Sequence, residues 1–75
     1  MTDFDRRLCT YLANEIIKTY KVKPGISDKE IEEVIYRYAF NHSDGPGEYY
    51  GTMNKANVIA GFIKKKLERK EYGLY

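Results

Sequence analysis

Apolar side chains recur at three- and four-residue steps in three segments of the chain, separated by polar or Gly/Pro-containing stretches. That period matches a helix, because positions i, i+3, i+4 and i+7 share one face. The first segment spans about 3–20 and places Leu8, Cys9, Leu12, Ile16 and Tyr20 on one face. Thr2 is a candidate cap for its first amides, and Asp3 and Asp5 suit the positive end of its dipole. The second segment spans about 28–41. It opens on Ser27 and Glu30, the spacing of a capping box in which two side chains satisfy two unpaired amides. Ile31, Val34, Ile35 and Tyr38 give its core face. The third spans about 53–72, with Thr52 as cap, Gly73 as stop, and a stripe of Ala56, Ile59, Ala60, Ile63 and Leu67. No stretch alternates with the period of two that a half-buried strand needs.

Two breaks divide these segments: Lys23-Pro24-Gly25, and the twelve residues 41–52, which hold Asp44-Gly45-Pro46-Gly47. Pro fixes φ and Gly tolerates positive φ, so both read as connections. The pattern predicts an all-α fold. It predicts one compact three-helix domain over residues 1–75, with a long Gly/Pro-containing loop between helices 2 and 3. A loop of that length in so small a domain is more often functional than incidental.

Composition narrows the function classes. A chain of 75 residues buries roughly 60% of its unfolded surface, which leaves little room for a deep substrate pocket beside the core. The single cysteine, Cys9, excludes an intrachain disulfide framework and a cysteine-rich zinc site, and suits a reducing, cytoplasmic setting. The longest uncharged stretch, 56–63, is far short of the ~20 residues that span a bilayer. The acidic Met-Thr-Asp-Phe-Asp start does not read as a signal peptide.

Net charge is +2, but it is unevenly spread. Residues 1–44 hold seven basic and eight acidic groups, a balance of −1, and residues 45–75 hold six and three, a balance of +3. Lys55, Lys64, Lys65, Lys66, Arg69 and Lys70 supply that excess. Of these, Lys55, Lys64, Lys65 and Arg69 are the candidate nucleic-acid contacts, with Asn54 and Asn57 placed to read base edges from the helix start. Two features oppose the reading. Glu68 and Glu71 dilute the basic face, and twelve residues separate helices 2 and 3, where a helix-turn-helix unit has three or four.

Once the core stripes are assigned, each helix retains large side chains on a second face. Phe4 and Tyr11 leave the first core face, Tyr36 and Phe40 lie one turn apart nearly opposite the second, and Val58 and Phe62 flank the third. Eight Tyr and three Phe are many for this length, and aromatic residues are enriched at binding hot spots. Tyr36, Phe40, Phe62 and the loop residues Glu48, Tyr49 and Tyr50 are therefore the candidate partner contacts.

Catalytic motifs do not assemble. His42-Ser43-Asp44 holds the residue types of a triad, but consecutive residues cannot adopt the relay geometry. Gly45, Gly47 and Gly51 miss the dinucleotide spacing, because Tyr50 occupies the third glycine's place. Glu30, Glu32 and Glu33 read as a solvated helix start. The expectation is a non-enzymatic protein-interaction module without metal or cofactor. It resembles in scale the inhibitors or regulators of phages and mobile elements, and it would act on a larger cytoplasmic protein that handles nucleic acid. The alternatives are direct DNA or RNA binding through the third helix, and a homodimer that covers its own aromatics.

Overall fold

Four helices make up residues 2–69, the part of the chain described by the computed structural model. α1 spans Asp3–Tyr20, α2 Asp28–His42, α3 Pro46–Asn54 and α4 Ala56–Arg69. The all-α class holds, with no strand among the described residues. The count of three helices does not hold, because the stretch read as a loop contains α3. The continuation of the last helix to 72 and its stop at Gly73 lie outside the described residues.

Local chemistry sets the helix ends. The Thr2 hydroxyl oxygen accepts from the Asp5 N–H at 3.1 Å, and its hydroxyl donates to the Asp5 carboxylate at 2.9 Å. α1 stops at Lys21, which takes a left-handed conformation at φ 52°, and the Ile17 carbonyl accepts from the Val22 N–H at 3.0 Å. Ser27 caps α2 as its sequence position predicts, accepting from the Glu30 N–H at 3.2 Å. Here the box is half of the expected one, since the Glu30 carboxylate accepts a hydrogen bond from the Ser27 hydroxyl and not from a backbone amide.

α3 begins at Pro46, in the first helical position, where a missing N–H costs nothing and a fixed φ is already helical. Glu48 then reaches back to accept from the Asp44 N–H at 3.0 Å. Thr52, read as a cap, is inside this helix. The break between α3 and α4 is a single residue, Lys55, whose carbonyl accepts from the Ile59 N–H at 2.9 Å. Lys55 thus ends one helix and starts the next.

The core is aliphatic. Ile16, Ile31, Ile35, Ile59 and Ile63 are its largest fully buried side chains, joined by Cys9, Leu12, Ala13, Ile17, Val22 and Leu67. The three stripes read from spacing converge here. Leu8, Tyr20, Val34, Tyr38, Ala56 and Ala60 sit at the margin. α4 is central, packing on α1, α2 and α3, while α3 packs mainly on α2 and has no fully buried residue. Every described Tyr and Phe is exposed or half-buried.

Candidate functional site

Among the described residues, the α2 surface carries the most exposed Phe or Tyr side chain. Phe40 is 79% exposed and Tyr36, one turn earlier, is 46% exposed. The same helix buries Ile31, Ile35 and Ala39 on its other side, so the core fixes the rotation that turns Tyr36 and Phe40 outward. A phenyl ring in water gains nothing from folding, and its favourable transfer is realised only against a partner.

The three loop candidates stand on α3. Glu48 is exposed, but its carboxylate serves the Asp44 turn. Tyr49 is half-buried and meets Tyr50 edge-on, with ring centroids 5.4 Å apart at 79°. Tyr50 is exposed. Of this trio Tyr50 presents the most exposed ring.

The candidate cations separate. Lys65 and Arg69 line a groove of about 570 Å³ between α1 and α4, together with Arg6 and Lys66. Phe62 and Val58 give the groove an apolar side, and Thr10 and Gly61 complete it. Among the described residues no carboxylate lines it. Lys64 lies elsewhere, paired with Asp28 at the start of α2. Lys55 borders a different hollow, with Leu8, Leu12, Glu48 and Thr52. Glu68, which the sequence sets on the basic face, borders a hollow with Pro24 and Ile31 instead. Phe62, read as a partner contact, is half-buried and packs against the core.

Arg6 is the groove residue that spacing misses. A groove between two helices takes residues from both, and sequence alone does not say which face of α1 meets α4. The available signal is local: Arg6 falls in the first turns of α1, the positive end of its dipole, where a cation is disfavoured.

The separation of helices 2 and 3 also changes. Three residues, Ser43, Asp44 and Gly45, join α2 to α3, the length of a helix-turn-helix connection. The second helix of that pair contains Glu48 and no Lys or Arg, so the positive charge lies on α4 and α1.

Cys9 is fully buried, and burial pushes its thiol pKa up, with Lys55 opposing and Asp5 adding. His42 is exposed at the end of α2 and stacks on Tyr38, ring centroids 4.5 Å apart. Burial likewise raises the Tyr38 pKa, with Tyr11, Glu15, Tyr20 and Glu48 adding to the shift. The Tyr20 hydroxyl accepts from the Asn41 amide at 3.3 Å, tying the ends of α1 and α2. Among the described residues no three His, Cys, Asp or Glu side chains group as metal ligands. None of the described helices is long and apolar enough to cross a membrane.

Compared with known proteins, the chain matches no family model, no curated protein and no solved structure. The functional reading therefore rests on these side chains.

Proposed function

We propose that the chain is a non-enzymatic protein-interaction module, a regulator of a larger cytoplasmic protein, that docks through the Tyr36–Phe40 face of α2. The observation that carries this reading is the exposure of Phe40, 79%, beside a half-exposed Tyr36 on a helix held in place by Ile31 and Ile35. Rigid aromatic side chains bury large area at low entropic cost, which makes them efficient anchors. Tyr50 on α3 supplies a further ring on an element that packs against α2.

A photoreactive phenylalanine analogue at position 40 tests the reading in cells that make the protein. The expected result is one defined adduct with a larger protein, absent when the analogue replaces Lys23 on the α1–α2 connection. Phe40→Ala should weaken capture of that protein by about 10-fold or more, the loss of one hot-spot anchor, with helix content unchanged. Adducts only at twice 8.8 kDa would show self-association in place of a larger partner. No adduct from position 40, or identical adducts from position 23, refutes the proposal.

A further inference from the structure

We infer that the groove between α1 and α4 binds the backbone of a single-stranded nucleic acid, at a site separate from the α2 aromatic face. Three cations, Arg6, Lys65 and Lys66, converge on it beside Arg69, and no carboxylate of the described residues lines it. The acids of the α1 start are placed otherwise. Asp5 accepts a hydrogen bond from the Thr2 hydroxyl, and the exposed Asp3 is not part of the groove.

Helix-dipole stabilisation accounts for part of this charge only. Lys66 and Arg69 are in the last turn of α4, where cations are favoured. Arg6 is near the opposite end of its own helix, where the dipole disfavours it. α1 and α4 pack so that Arg6 adds a second wall of positive charge to the groove. Charge of one sign concentrated in a cleft selects a polyanion.

Gly61 is an independent observation. It lies inside α4, where glycine is a poor helix former, and it borders the groove. A Cβ built there meets nothing within 4 Å, so packing within the chain does not require a glycine. A glycine there leaves the helix backbone open to close approach from the groove. Phe62 and Val58 beside the cations then suit a base or sugar, while the cations take phosphates. Apolar surface interleaved with cations in one channel is the arrangement that holds single strands without sequence preference.

The test is fluorescence anisotropy with a labelled mixed-sequence 20-mer, as single strand and as duplex, at 20–200 mM salt. The single strand is expected to bind at micromolar concentration or tighter. Three or four phosphate contacts weaken that binding about 10- to 100-fold between 50 and 200 mM salt, at roughly −0.7 in slope per contact. Lys65→Glu and Arg6→Glu should each cost at least about 10-fold and reduce the slope by about one contact. Lys23→Glu carries the same charge change outside the groove and should leave binding within about twofold. Gly61→Ala should weaken binding while raising the melting temperature, a pair of effects that simple misfolding cannot give.

No binding at 20 mM salt overturns the inference. So does equal loss in Lys23→Glu, wild-type binding in both Lys65→Glu and Arg6→Glu, tighter binding of the duplex, or equal binding of polyglutamate. The α2 proposal is untouched by any of these results, because its contacts lie on another helix.

Discussion

Two groups that burial desolvates, the fully buried Cys9 and the half-buried Tyr38, make the fold sensitive to alkali. The Cys9 thiol and the Tyr38 phenol both titrate above their usual values because burial disfavours the charged forms. At a pH between the unfolded and folded values, the folded chain holds protons that the unfolded chain has lost, so stability falls as pH rises. The contribution is fully present below about 8.5 for the thiol and about 10 for the phenol, and is lost above them. Urea midpoints measured from pH 7 to 11 should therefore decline from about pH 8.5, and Tyr38→Phe should flatten the decline above about pH 10. A midpoint constant to pH 11 would contradict the burial of both groups. Residue types showed some of this in advance. Cys9 falls on the apolar stripe of α1 and Tyr38 on that of α2, so their placement was legible from spacing. Spacing sets Phe40 nearly opposite Ile31 and Val34, but its exposure depends on how the helices pack, which spacing does not encode. The use of Glu48 was not legible, because its hydrogen bond to Asp44 exists only once α3 forms.

At the scale of elements, α1 and α2 follow closely from sequence because each has a capping side chain and a long apolar stripe. α3 does not. Three of its flanking and internal positions are Gly45, Gly47 and Gly51, and none of its side chains is fully buried, so no apolar period marks it. Pro46 was its one clear signal, as a first-turn proline, and a neighbouring glycine on each side gives the same local sequence as a turn. The helix therefore depends on packing against α2 and on the Glu48–Asp44 contact. Gly51→Ala tests this account: the new Cβ meets nothing within 4 Å, so the substitution should add about 0.5–1 kcal/mol of stability. Thermal denaturation should show a rise of several degrees, and an unchanged or lower midpoint would mean that position 51 is not helical in solution. The groove cations divide in the same way. Lys65 and Arg69 were readable as neighbours one turn apart, but their partner Arg6 comes from a helix contact that one-dimensional spacing does not encode.

For the whole molecule, a small aliphatic core supports both surfaces proposed above as working sites. A chain of this length gains only about 3–5 kcal/mol from one core, and truncating a buried isoleucine to alanine costs about 2–5 kcal/mol. Ile35, fully buried on α2, supports the helix that presents Tyr36 and Phe40. Ile35→Ala should leave the protein largely unfolded at 25 °C by far-ultraviolet circular dichroism, whereas retention of a cooperative transition near the wild-type midpoint would show a core less dependent on that layer. The distribution of rings has an optical consequence. The chain has no tryptophan, and no described tyrosine is fully buried. Its ultraviolet emission therefore comes from tyrosines, of which Tyr36 and Tyr50 are exposed. A partner that covers Tyr36 or Tyr50 changes it directly, so the unlabelled protein carries its own indicator of docking.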